Sequence, residues 1–253
     1  MPRVSIHGVH LHYLTGGDGP HSVVFVHGFC QSSVFWKEAL DRLPAGHRGF
    51  ALDLKGFGDS DKPPGPYGIP TFADEVLALA DALGLGRFVL VGNSMGGVVC
   101  QSLASRYAQR LSRLVLVSTG AYARNPAAAR ERAEQIPEWK RDDFEKMVKA
   151  FFAILPNRWE TLVDVAMKAS REAMVQSTLS SASLNFLKAV RQVNVPTLIV
   201  QGERDASRTP QDGKELQEAI PGSALHVLGG AGHTPMLERP DLFYPLFLNF
   251  LGA

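Results

Sequence analysis

Phe88-Val89-Leu90-Val91-Gly92-Asn93-Ser94-Met95-Gly96-Gly97 is the stretch on which the reading of this chain turns. Four apolar residues run unbroken into a glycine, and a serine follows two positions later. Gly96 and Gly97 then lead into Val98, Val99, Leu103 and Ala104 at helical spacing. A short continuous apolar run fits a strand buried on both faces of a parallel sheet. The G-x-S-x-G spacing sets the serine on a sharp strand-to-helix turn, with glycines where a side chain would strike the crossing elements. N–H groups at the start of such a helix point toward the serine oxygen and favour negative charge developing there.

Runs of the same kind recur at residues 22–26, 49–54, 114–118, 197–201 and 224–228. Residues 9–13 instead alternate apolar and polar, as a half-buried strand does. His10 and His12 share one face of that strand, which reads as solvated. Helical patterns lie at 34–43, 71–83, 211–220 and 242–251. In the second of these Phe72, Val76, Leu79 and Leu83 fall on one face, and Gly84 stands just past the end. Strands alternating with helices predict βαβ units, hence an α/β chain with a parallel sheet covered on both faces. Residues 121–194 break the alternation. They hold no strand-like run, show helical patterns such as Phe144, Val148, Phe151, Phe152 and Leu155, and are interrupted by Pro126, Pro137 and Pro156. Too long for a plain loop, this segment is expected to form a helical lid over one end of the sheet. Residues 1–120 and 195–253 would then form the core.

Composition removes several classes of function. The chain has 253 residues, 45% hydrophobic and 20% charged, enough for a sizeable core and too apolar for disorder. Its 26 basic and 25 acidic residues leave a net charge of +1, so no global field attracts nucleic acid or an anionic membrane. The two cysteines, Cys30 and Cys100, read as free thiols. With no secretory h-region and no apolar stretch of about 20 residues, the expectation is a soluble, cytoplasmic protein. Oligomeric state leaves no mark in the sequence.

A serine hydroxyl is a poor nucleophile without a base. Only His226 and His233 follow Ser94 in the chain. His226 falls inside a strand pattern and reads as structural. His233 lies in Gly229-Gly230-Ala231-Gly232-His233-Thr234-Pro235, a glycine-rich turn after the last strand, and reads as the base. Imidazole in that role needs a carboxylate to fix its tautomer. Asp205 follows the run at 197–201 through Gly202-Glu203-Arg204, with Glu203 as its near rival. The run at 114–118 ends in Thr119-Gly120 and offers no carboxylate. His27-Gly28-Phe29 closes the strand before the first helix. The N–H groups of Phe29 and Met95 are therefore the expected oxyanion donors, and His27 a structural residue bonded to nearby backbone. An apolar cavity lined by Cys30, Trp36, Phe144, Phe151, Trp159 and Met167 is expected, with Gln31, Ser32 and Ser33 adding polar contacts near the entrance.

Five segments carry a family resemblance: H-G-F at 27–29, D-L-K-G-F-G-D-S at 53–60, G-N-S-M-G-G at 92–97, G-E-R-D at 202–205 and G-H-T-P-M-L-E-R-P at 232–240. In this order they resemble the α/β-hydrolase superfamily over nearly the whole chain. The resemblance implies an eight-stranded, mostly parallel sheet with a helical lid inserted after strand six. It also implies a serine hydrolase with the triad Ser94, His233 and Asp205, needing no cofactor and no metal. Its substrate would be a small-molecule ester, thioester or lactone of hydrophobic character. The elbow is similar to those of small carboxylesterases, enol-lactonases and meta-cleavage-product hydrolases. Carbon–carbon bond hydrolysis by the same triad, a non-turnover ligand receptor and a cofactor-free perhydrolase are the alternatives.

Overall fold

A computed structural model describes residues 2–252. The first half of the chain forms β1 (Arg3–Ile6), β2 (Val9–Gly17), β3 (His21–Val26), α1 (Lys37–Asp41), β4 (His47–Leu52), α2 (Ile69–Ala82), β5 (Phe88–Asn93), α3 (Met95–Tyr107) and β6 (Leu111–Val117). Four helices follow, α4 (Pro126–Gln135), α5 (Arg141–Ala150), α6 (Trp159–Met167) and α7 (Arg171–Ser183). The chain then closes with β7 (Thr197–Gly202), α8 (Pro210–Ala219), β8 (Ala224–Leu228), α9 (Pro235–Glu238) and α10 (Pro240–Leu251). The strands make one eight-stranded sheet in the order β1-β2-β4-β3-β5-β6-β7-β8. β1 and β2 pair antiparallel, as do β2 and β4, and every later pair is parallel.

The unbroken apolar runs follow from burial on both faces. Side chains alternate across a strand. In β3, Val24 and Val26 join one core cluster while Val23 and Phe25 join the other. In β5 the split is Phe88 and Leu90 against Val89 and Val91, and in β6 Leu114 and Leu116 against Val115 and Val117. Helices α2 and α3 cover the first face with residues such as Phe72, Val76, Val99 and Leu103. Helices α1 and α10 cover the second with Leu40, Phe243 and Phe247. The apolar residues of the helices between β6 and β7, among them Ile136, Phe144, Val163 and Met174, belong to the first cluster.

Two strand readings change. The run at 224–228 is not sealed on both faces: β8 is an edge strand, and Ala224, His226 and Val227 are exposed. β1 is an additional edge strand, four residues long with polar Arg3 and Ser5, too short and too polar to register as a pattern.

The segment after β4 is a buried polar knot. Asp53 Oδ1 accepts from Ser33 N–H at 2.5 Å, while Oδ2 accepts from Asp59 N–H at 2.8 Å and bonds His12 Nδ1 at 2.8 Å. His12 is thus buried, and only His10, which bonds exposed Asp61 at 3.1 Å, lies on the solvated face expected for both. Burial resists ionisation of Asp53, but the hydrogen bond from His12 and the neighbouring donors outweigh it and hold its carboxyl at about 2. An unfolded aspartate titrates near 3.9, so this stabilisation is complete above about pH 4 and is lost as pH falls toward 2. The difference corresponds to about 2.6 kcal/mol. Asp53→Asn is expected to unfold more easily by about that amount at pH 7. Its deficit against the parent protein should shrink as the pH is lowered through 4 toward 2, read from urea midpoints.

Candidate active site

β5 delivers Ser94 to the carboxyl end of the sheet with φ 54° and ψ −117°, a backbone state that ordinary residues avoid. Glycines make the turn possible by close approach. A Cβ on Gly92 would lie 2.4 Å from the Gly96 carbonyl oxygen, and one on Gly96 would lie 2.4 Å from that of Val26. The turn is tied down around the serine. Ser94 N–H donates to Val117 O at 2.9 Å, and Thr119 Oγ1 donates to Ser94 O at 2.8 Å. Asn93 Nδ2 reaches both Val117 O at 3.3 Å and His233 O at 3.1 Å, joining the serine turn to the histidine turn.

Asp205 and His233 meet at that same end of the sheet. His233 Nδ1 and Asp205 Oδ2 are 2.7 Å apart, and both side chains are buried. Asp205 Oδ1 accepts from Ser207 N–H at 2.8 Å and Arg208 N–H at 2.9 Å. The carboxylate is thereby fixed, and it holds the imidazole with its proton on Nδ1 and Nε2 free to accept. Glu203, the rival acid, is exposed and accepts from Gly230 N–H at 2.8 Å instead. His226 lies exposed on the edge strand. Ser94 and His233 line one cavity, although among the described residues no hydrogen bond yet joins Ser94 Oγ to the ring. Such contacts often tighten only once substrate is bound.

His27 is held from both sides. Its Nδ1 donates to Gly28 O at 2.7 Å, and its Nε2 accepts from Leu54 N–H at 3.0 Å. Burial, acting against the nearby Asp53 charge, lowers its pKa and keeps it neutral. The ring is a strut between β3 and β4. Phe29 and Met95 line the cavity, and neither N–H has a protein acceptor among the described residues.

Glu238 is a residue that pattern reading passed over. Its Oε2 accepts from Gly232 N–H at 2.9 Å, Ala153 N–H at 2.7 Å and Ile154 N–H at 3.0 Å. Its Oε1 accepts from the N–H and the hydroxyl of Thr234, each at 3.0 Å. One buried carboxylate therefore clamps the residues on both sides of His233 to the chain that follows α5. His233 N–H also donates to Phe151 O at 2.9 Å, and the Phe151 and His233 rings lie 5.5 Å apart. In the sequence Glu238 shows only as an acidic residue four positions after Thr234. Glu238→Gln turns an acceptor into a donor facing N–H groups, a mismatch worth about 1–3 kcal/mol per unsatisfied group. A lower thermal midpoint is expected, with kcat falling about tenfold or more while KM changes little, since the ring is displaced and the cavity wall is kept. A KM change with kcat intact would contradict this role.

The cavity, about 500 Å³, differs from the apolar pocket expected. Of the six pocket candidates, only Phe151 lines it. Trp36 is fully buried against Phe25 in the cluster on the opposite face of the sheet, where α1 lies. Cys30 is buried in the core, which raises its thiol pKa. Phe144 is buried edge-on to Trp139. Trp159 is half-buried under Lys149, whose Nζ is 4.0 Å from its ring centroid, and Met167 is exposed on the outer side of α6 beside Arg141. Gln31, Ser32 and Ser33 are likewise buried: Gln31 Oε1 accepts from Gly28 N–H at 2.8 Å, and Ser33 N–H is spent on Asp53. In their place Arg124, Arg132, Arg208, Ser177, Thr178 and Ser181 line the cavity.

A strained serine at the end of a buried parallel strand, with an aspartate–histidine pair on later turns, defines an α/β-hydrolase architecture. The profile described as "Alpha/beta hydrolase family" matches residues 23–246, and the chain belongs to that family. It is 26% identical over 242 residues to 3-oxoadipate enol-lactonase 2 of Acinetobacter baylyi, spanning 93% of this chain and 90% of that one. It is 27% identical over 261 residues to the 2-hydroxy-6-oxononadienedioate/2-hydroxy-6-oxononatrienedioate hydrolase of Escherichia coli K12, covering 96% and 91%. The crystal structure of the enol-lactonase from Burkholderia xenovorans LB400 superposes with a TM-score of 0.91 at 26% identity, covering 100% of both chains. Family and relatives together support a hydrolase. No helix among the described residues is long and apolar enough to cross a membrane.

Proposed function

We propose that the protein is a serine hydrolase that cleaves a small ester, thioester or lactone through an acyl-enzyme on Ser94. The observation that carries this reading is the 2.7 Å contact between His233 Nδ1 and Asp205 Oδ2, which leaves Nε2 for the cavity that Ser94 shares. Ser94 Oγ attacks the carbonyl carbon while His233 Nε2 takes its proton, and Asp205 supports the imidazolium that results. The carbonyl oxygen becomes an oxyanion held by Phe29 and Met95 N–H, each such donor being worth about 3 kcal/mol in comparable sites. When the tetrahedral intermediate collapses, the carbon–oxygen or carbon–sulfur bond breaks and His233 returns the proton to the leaving group. Water, deprotonated by His233, then attacks the acyl carbon. Ser94 leaves with the proton, and the acid is released. The positions of His27 and Cys30 keep both out of this chemistry, one as a strut and the other as a buried thiol.

A substrate panel tests the reading. 4-Nitrophenyl esters of increasing acyl length, γ- and δ-lactones and a meta-cleavage dienoate are assayed beside a fluorophosphonate titration. Turnover of esters or lactones, with one equivalent of label on Ser94, is the expected result. Turnover of the dienoate alone would replace the proposed reaction with carbon–carbon cleavage on the same residues. Labelling with no turnover of any member would leave a receptor rather than an enzyme.

A further inference from the structure

Three arginines line the cavity, and among the described residues only Arg124 of the three is held in an ion pair. Arg124, at its rim, is paired with Asp212 at 2.9 Å and with Glu215 at 3.0 Å. Arg208 donates to the Tyr122 carbonyl at 2.8 Å, and among the described residues no carboxylate lies within ion-pair distance of its guanidinium. Arg132, from α4, likewise has no ion-pair partner among the described residues, and its guanidinium stands 5.1 Å from the ring centroid of Phe29. Phe29 supplies one of the two N–H groups proposed for the oxyanion, so this cation–π contact fixes a positive charge next to the reaction centre. Arg132 is exposed to solvent along α4, and an arginine stays charged in proteins.

Resting on the serine-hydrolase reading, we infer that the substrate carries a carboxylate away from its scissile carbonyl, and that Arg132 and Arg208 hold it. The planar guanidinium fork matches a carboxylate in two parallel hydrogen bonds, and such charge-assisted bonds are about twice as strong as neutral ones. Asp205 and Asp212 already act on Arg208, so a single negative charge balances the site better than a phosphate dianion. The favoured substrates are half-esters of dicarboxylic acids, or lactones bearing a free carboxylate, in place of the plain hydrophobic esters that an apolar pocket would take.

The test compares matched esters with and without the charge, on either side of the scissile bond. 4-Nitrophenyl hydrogen glutarate is set against 4-nitrophenyl pentanoate, and 4-(butanoyloxy)benzoate against phenyl butyrate. The readout is the ratio of kcat/KM within each pair, taken for the parent protein, Arg132→Gln and Arg208→Gln. Losses of folded enzyme cancel in that ratio. For at least one pair the ratio should fall tenfold in Arg132→Gln, with Arg132→Lys falling less, and any drop of threefold or more in either glutamine variant supports the inference. Ratios that stay within threefold in both pairs, with the neutral esters turned over, overturn it and leave the hydrolase reading standing. No turnover of any ester and no fluorophosphonate label on Ser94 would remove that reading and the inference with it. If neither variant folds, glutarate should slow fluorophosphonate labelling of Ser94 in the parent protein where pentanamide does not. Equal labelling rates would overturn the inference.

Discussion

Ser94→Ala is expected to lower kcat on 4-nitrophenyl butyrate by about 10⁴-fold or more and to abolish fluorophosphonate labelling. The change removes one oxygen from the reacting position and little else. Ser94 makes no capping hydrogen bond to α3, and its backbone anchors, Val117 O and the Thr119 hydroxyl, do not involve its side chain. The elbow glycines also keep their close approaches. The variant should therefore fold as the parent does, with a thermal midpoint within a few degrees of it. Residual catalysis above water would come from the Phe29 and Met95 N–H groups, which the substitution leaves in place. Intact-mass detection of the label on another residue would sink the assignment of Ser94, whatever the kinetics.

Asp205→Asn is the second large effect, on the order of 10³- to 10⁴-fold in kcat. Its direction follows from hydrogen-bond bookkeeping at the carboxylate. Ser207 and Arg208 N–H groups both point at Oδ1, so the amide of an asparagine must place its oxygen there. The amide nitrogen is then turned toward His233 Nδ1, 2.7 Å from where Oδ2 stood. A donor facing Nδ1 forces that nitrogen to accept, and the imidazole proton moves to Nε2. His233 is then held, correctly placed, in the tautomer that cannot take a proton from serine. Glu203→Gln makes the control. It touches only the Gly230 N–H on the surface, and kcat should stay within about twofold. If Glu203→Gln proved the more damaging of the two, the acid would have to be reassigned.

How far the sequence could be read depended on how local each signal was. The strands were legible because burial on both faces writes a continuous apolar run, and β3, β5, β6 and β7 each carry one. The elbow was legible because close backbone approach leaves no choice but glycine at 92 and 96. Asp205 and Glu203 both follow β7, and it is Asp205 whose Oδ2 lies 2.7 Å from His233 Nδ1 while Glu203 points to the surface. The cavity lining was not legible. α4 reads Pro-Ala-Ala-Ala-Arg-Glu-Arg-Ala-Glu-Gln, a polar helix whose arginines look like solvated surface until α7 packs beside it and the cavity opens next to Arg132. Trp36 does not reach the cavity because the chain crosses to the other face of the sheet before α1 begins. Glu238 was invisible for a further reason. Its role exists only because residues 153–154 and 232–234, some eighty positions apart, bring their N–H groups to one point.

The sealing of the sheet on both faces separates what can vary from what cannot. A change inside β3, β5 or β6 disturbs one of two packed clusters, and a side chain added at Gly92 or Gly96 drives into backbone. The wall formed by α4, α7 and the turn after β7 meets the cavity through side chains that few neighbours constrain, such as Ala128, Arg132, Ser181 and Ser207. Descendants of this chain could therefore exchange one substrate for another by substitutions in that wall alone, while the turns bearing Ser94, Asp205 and His233 pass unaltered between them.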